Sequence, residues 1–446
     1  MESGVIVLAP PWPRSGSGNI IAAQTAAHAR RGSRVFLVLT PLDRWHRPSR
    51  SEFWRDAVAA MKFPGVETVA YPRTESGNIR SYCDWVLAGR DDSIAISARY
   101  AASGRLPGEL VLDSARIDLI HANHVFSMRL AQRIAGIVEK MHGRRPQILL
   151  ETHDIQSNVF VAGRRINRHS RRTDSYDALL RSELALCSQA DALLHITQSD
   201  FDFFSNRLPN RAHELILPTL HPHSEAQLTK RRGLQRQAEF DFVYVGNNHE
   251  ANLETVRWML REVLLFANPN VRHRIRFIGT IGQILSSREP QLFKRYEHLF
   301  VGEMSSVFDF YAAAKAILAP ATAGTGTSIK LIEALCVGKP VLTSDLALRG
   351  LPRAQMGSDD IHIHDTAGDF ADTMNRMSDS SSRGPALSHA NVSLYDRLFC
   401  NRRYFAALDE VIDARVGLRS ERVTAHQRGG VGLEAGRVDV ARSIHI

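Results

Sequence analysis

Cysteine is scarce in this chain. Cys83, Cys187, Cys336 and Cys400 are its four cysteines in 446 residues, and no two stand as Cys-x-x-Cys. That excludes a disulfide framework and fits a reducing compartment. No apolar run reaches the roughly 18 residues of a membrane-spanning helix. The first apolar run, Val5–Ala9, is cut short by Pro10 and Pro11, so it lacks the form of a secretory signal. The expectation is a cytoplasmic protein whose membrane contact is at most peripheral, at the inner face. Acid is also in short supply. Asp plus Glu is 47 against 56 Lys plus Arg, a formal net charge of +9. Such a balance favours anionic partners without choosing among nucleic acid, lipid headgroups and phosphorylated ligands.

What is present is ordinary globular composition, 44% hydrophobic and 23% charged, in a length that suggests two or three domains at roughly 100–200 residues each. Short apolar runs alternate with helical spacing. Val5–Leu8, Val35–Thr40, Val66–Tyr71, Ile117–Ala122, Ile148–Glu151 and Ala192–Thr197 are predicted strands, with helices over Asn19–Arg31, Met128–Met141 and Ser175–Gln189. The alternation restarts at Phe240–Val245 and runs through Ile275–Ile278, Leu299–Val301, Ala316–Ala319 and Val341–Thr343. Two such α/β runs imply two doubly wound, Rossmann-like domains whose strand carboxyl ends face one cleft. The expected division is an N-terminal domain over 1–217, a linker over 218–238, a second α/β domain over 239–390, a helical segment over 391–414 and a basic, disordered tail over 415–446.

The most informative segment runs from Val307 to Leu351. A predicted strand ends at Pro320, the loop Ala321–Gly326 carries two glycines, and a helix begins near Thr327-Ser328. Free backbone N–H groups and the dipole at such a helix start make an anion site. Lys330 adds charge in the first turn, and Glu333 lies within reach of a ligand's hydroxyls. The plain alternative is an ordinary strand–loop–helix closed by Gly338. The segment resembles the nucleotide-sugar site of GT-B glycosyltransferases, above all the retaining enzymes of glycosyltransferase family 4. Tyr244-Val245-Gly246 and Leu299–Glu303 extend that similarity upstream, so that it covers roughly residues 240–370. The resemblance implies a donor site of Gly324, Thr325, Gly326, Thr327, Ser328, Lys330, Glu333, Gly246 and His249, with diphosphate on the loop backbone and ribose on Glu333.

Two departures stand out. Where many relatives have a first glutamate contacting the donor sugar, the count back from Glu333 falls on Thr325. Where many place an Arg/Lys pair, this chain has Gly246-Asn247-Asn248-His249-Glu250. The open choice for the missing charge is His249 or Lys330. In the N-terminal half, His153 and Asp154 end a predicted strand, and a histidine there can exchange a proton near neutral pH. The resemblance implies that His153 lies close to the donor sugar; Asp154 could orient it. The loop bearing Gly16 and Gly18, and one of His121, Asn123 and His124, are candidates for the acceptor or a phosphate; alternation puts His121 and Asn123 on one side and His124 on the other.

Other signals are weaker. His362 and His364 share a strand face, but two ligands make no metal site. Arg164, Arg165, Arg168, Arg171 and Arg172 suit either a solvated loop or a contact with a headgroup or anionic acceptor. The expectation is a glycosyltransferase taking a nucleotide-sugar donor and a saccharide or lipid-linked saccharide acceptor, with no cofactor and no required metal, since no DxD signature sits at a strand end. Work in bacterial surface polysaccharide synthesis, contact with an anionic membrane and the absence of a nucleic-acid partner are parts of the same expectation. The rivals are a sugar-nucleotide epimerase on the same fold and a non-catalytic anion-binding protein.

Overall fold

The structure, a computed structural model, describes residues 3–13, 15–40, 51–71, 92–102, 115–166, 175–234, 240–324, 326–379 and 387–416. The first seven strands are β1 (Ser3–Ala9), β2 (Arg34–Leu39), β3 (Val66–Ala70), β4 (Arg116–Asn123), β5 (Gln147–Glu151), β6 (Ala192–His195) and β7 (Ala212–Leu215). They form one parallel sheet in the order β3-β2-β1-β4-β5-β6-β7. Strands β8 (Phe242–Val245), β9 (Ile275–Ile278), β10 (Phe300–Gly302), β11 (Ala316–Ala319), β12 (Val341–Thr343) and β13 (Ile361–Ile363) form a second, ordered β10-β9-β8-β11-β12-β13. The architecture is therefore α/β, two doubly wound sheets, as the alternation of short apolar runs predicts.

The inner strands of each sheet are buried on both faces, which is why they are continuous apolar runs. Ile6 and Leu8 of β1 enter one core, while Val5, Val7 and Ala9 enter the other. In the second sheet Phe242 and Tyr244 take one side and Val243 the other. The strand order reverses between β1 and β4 and again between β8 and β11. Ligands of open α/β sheets bind outside the carboxyl ends at such switch points. Here both switch points border the same cleft.

The stretch expected as a linker contains a helix, Pro222–Thr229, whose Leu228 is buried in the second domain's core. The chain returns after Phe399 to a final helix, Asn401–Val416, which packs on the first domain through Tyr404, Leu408, Val411 and Ile412. The two passages between domains are tied together. Thr219 Oγ1 donates to Phe399 O at 2.6 Å, and the Glu225 carboxylate accepts from Tyr395 OH and Asn401 N, each at 3.0 Å. Helices Ser51–Ala60 and Ser93–Ala102 carried no clear signal in the sequence. The arginines of 164–172 and the tail from 417 onward lie outside the residues whose side chains are described. Among the described residues no helix is long and apolar enough to cross a membrane.

Candidate functional site between the two sheets

A cavity of about 770 Å³ opens between the two sets of strand ends. From the second domain it is lined by Gly246, His249, Gly324, Gly326, Thr327, Ser328, Lys330, Glu333 and Arg349, and from the first by Gly16, His124, His153 and Asp154. Thr325 lies outside the described residues. Most residues singled out in the sequence thus come together in one place.

The loop after β11 leads into the helix Ile329–Val337, capped at its far end by Gly338 at φ 73°. Gly324 has φ 109°, a backbone shape that a side chain would strain, and a Cβ there would lie 3.2 Å from Arg349 Nη2. Thr327 Oγ1 is buried without a partner. Ser328 occupies the N-cap position but makes no side-chain cap bond. Its hydroxyl and the first N–H groups of that helix are thus at the disposal of an anion. Glu333 accepts a 2.7 Å hydrogen bond from Tyr311 OH, which fixes one carboxylate oxygen. Burial raises its pKa, opposed by Tyr311 and Lys330.

Lys330 is engaged within its own domain. Its ammonium donates to Asn252 Oδ1 at 2.9 Å and lies 5.0 Å from the Tyr244 ring centroid. Burial lowers it to about 8. His249 is engaged by its own helix, its Nδ1 accepting from Ala251 N at 3.2 Å. The cation that neither choice anticipated is Arg349, on the turn after β12. Its Nη1 donates to Leu346 O at 3.0 Å, while its Nε is buried without a partner. It faces Asp154 across the cleft, and burial lowers its pKa against that pull. The sequence offered only one signal for it, an arginine just past a predicted strand end.

On the opposite wall, His124 and His153 are the described non-glycine residues with positive φ, at 60° and 61°. Both follow strand ends, where the chain turns sharply into the next segment. Their rings stack with centroids 4.3 Å apart. Burial pulls His124 down to about 3 and His153 well below its ordinary value, so both stand neutral. Asp154 is raised to about 7 by burial and by Asp200, partly offset by Arg349.

Three expectations need correction. Asn123 does not line the cleft. It is fully buried beneath it, and its Oδ1 meets His153 Nε2 at 2.8 Å. Alternation had grouped it correctly with the equally buried His121, leaving His124, itself buried, as the member that lines the wall. Gly18 does not reach the cavity either. It sits under the preceding turn, where a Cβ would come 2.3 Å from Trp12 O. The helix starts at Gly16, not Asn19, because Ser15 caps it by accepting from Gly18 N at 2.9 Å. His364 is held by Thr373 Oγ1 at 2.9 Å, away from the cleft.

Two facing doubly wound domains with a ligand cleft between their switch points define the GT-B fold. Residues 239–380 match the family described as glycosyl transferases group 1. Solved structures agree on the fold. HepE of Anabaena, in complex with UDP, aligns at a TM-score of 0.56 and 14% identity, over 92% of this chain and 100% of its own. Sucrose-phosphate synthase of Thermosynechococcus elongatus aligns at 0.58 and 15%, over 92% and 98%. The α,α-trehalose 6-phosphate synthase of Burkholderia multivorans aligns at 0.57 and 12%, over 97% and 100%. No curated protein sequence matches the chain.

Proposed function

We propose that this protein transfers a sugar, with retention of configuration, from a nucleotide-sugar donor to a saccharide or lipid-linked saccharide acceptor. The observation that carries the reading is the Gly324–Glu333 loop and helix start, with its open N–H groups facing His153 and Asp154 across the cavity. The diphosphate takes the helix start and Arg349, and the ribose hydroxyls take Glu333. His153 and Asp154 flank the donor sugar. The anomeric carbon–oxygen bond to phosphate breaks while the acceptor hydroxyl forms the new one on the same face. The departing phosphate oxygen accepts the hydroxyl's proton. Preorganised donors around the developing diphosphate charge supply the main acceleration. HepE is described in complex with UDP and with UDP-glucose, which favours a uridine nucleotide as the first donor to try.

The chain's +9 charge and its arginine run at 164–172 support an anionic or membrane-borne acceptor, as in bacterial surface polysaccharide assembly. Thermal shifts with a panel of nucleoside diphosphates and nucleotide sugars test the reading, since a bound ligand stabilises in proportion to the logarithm of concentration over Kd. A shift with one base is expected, and its loss, by about tenfold or more in affinity, in Glu333→Ala. No shift with any nucleotide would remove the proposal.

A further inference from the structure

Behind His153 a chain of buried side chains runs to the last helix. Asn123 Nδ2 donates to Leu8 O at 3.1 Å and to Gln24 Oε1 at 2.8 Å. Gln24 Nε2 meets Glu151 Oε2 and His121 Nε2, each at 2.7 Å. Tyr404 OH donates to the same Glu151 oxygen at 3.2 Å, and His121 Nδ1 meets His28 Nε2 at 3.0 Å. Gln24, His121, Asn123 and Glu151 are all buried.

One backbone atom fixes the direction of every bond in this chain. Leu8 O can only accept, so the Asn123 amide must turn its NH2 toward it. Its Oδ1 then faces His153 Nε2, and that nitrogen must carry the proton. Gln24 Oε1 accepts from Asn123, so both Gln24 N–H groups are spent on Glu151 and His121. His121 Nε2 is therefore an acceptor, and its proton sits on Nδ1, given to His28. The remaining nitrogen of His153, Nδ1, is buried without a partner.

We infer that Asn123, anchored on Leu8 O and Gln24, is a positioning residue that holds His153 as the Nε2–H tautomer, leaving its Nδ1 as a bare acceptor for a hydroxyl of the bound sugars. The inference rests on the proposed sugar transfer for its function, but not for the tautomer itself. A lone pair can accept a hydrogen bond from a hydroxyl, whereas an N–H there would oppose one. His124, stacked on the same ring, has both nitrogens unpartnered, so neither donates to His153 Nδ1. Low proton affinity at His153, caused by burial and by His124 and His121, agrees with a neutral ring.

Long-range 1H–15N correlation on 15N-histidine-labelled protein at pH 7 tests this, with His153 and His121 assigned by the signals lost in His153→Gln and His121→Gln. The expected spectrum shows opposite tautomers, Nε2–H at His153 and Nδ1–H at His121. A protonated His153, or its Nδ1–H tautomer, would overturn the inference from the wild type alone. Asn123→Leu, which removes the acceptor facing Nε2, should scramble the His153 tautomer and lower kcat about tenfold, the worth of one neutral hydrogen bond, while donor KM changes less than about twofold. A folded Asn123→Leu with an unchanged tautomer would also overturn it. Nucleotide binding that fails in the wild type would instead remove the sugar-transfer reading and leave the tautomer standing.

Discussion

Arg349 shows how one side chain can be prepared for a charge. Its Nη1 is anchored on Leu346 O and its Nε has no partner, so the guanidinium is oriented but not satisfied. A charge-assisted hydrogen bond contributes about 1.5–3 kcal/mol. Arg349→Gln should therefore weaken a nucleoside diphosphate roughly 10- to 100-fold in isothermal titration while leaving the nucleoside itself unchanged. Equal diphosphate affinity in the two proteins would take Arg349 out of the phosphate site. Glu151 carries a different signal. Burial raises it from 4.5 to about 7, against the hydrogen bonds from Tyr404 and Gln24. The folded state then holds the extra proton between those values, so this residue's contribution to stability is lost as pH rises from about 4.5 to about 7. Glu151→Gln lacks that slope. Relative to wild type it should gain about 2–3 kcal/mol between pH 5 and pH 8, read from denaturant melts at each pH.

At the scale of elements, residues 10–13 and the helix Gly16–Arg30 border the cleft on the first domain's side. Two glycines there have opposite duties. Gly16 borders the cavity, and a Cβ would meet only Ile329 Cγ1, at 3.3 Å. Gly18 is wedged under Trp12 O and Pro13 O, at 2.3 and 3.0 Å from a Cβ. Gly18→Ala should cost about 2 kcal/mol or more in thermal melts, within the range of overpacked sites, and Gly16→Ala much less. Equal melting points for the two would contradict this account. Elements were largely legible in the sequence because apolar runs and helical spacing are local. The glycine-bearing loop after β11 was legible for the same reason, its glycines and Glu333 lying within one strand–loop–helix. Asn123 was misplaced because alternation tells which residues share a face, not which face the cleft takes. Gln24 meets Glu151 across 127 positions and Tyr404 meets it across 253, so only packing brings them together.

The whole molecule is held by how its last helix returns. Arg31 bridges Asp409 at 3.0 Å and Asp413 at 2.6 Å, with only 9% of its side chain exposed. Both aspartates are partly solvated, so the pair contributes modestly. Arg31→Ala should lower stability by about 1–2 kcal/mol and speed amide exchange in Asn401–Val416, leaving exchange in 240–379 unchanged. Uniform exchange changes across both domains would contradict that locality. Closure over a donor is expected to bend where the two passages run side by side, at Thr219 and Phe399.

That return has a topological consequence. Residue 3 opens an inner strand of the first domain, and residue 416 ends a helix packed on the same domain. The second domain is thus an insert in the first, entering and leaving through neighbouring points. It could be lifted out between the two passages with the first domain's described sheet left whole, and a homologous α/β domain could be spliced in its place. In such a chimera the tie between Thr219 and Phe399 would serve as the seam.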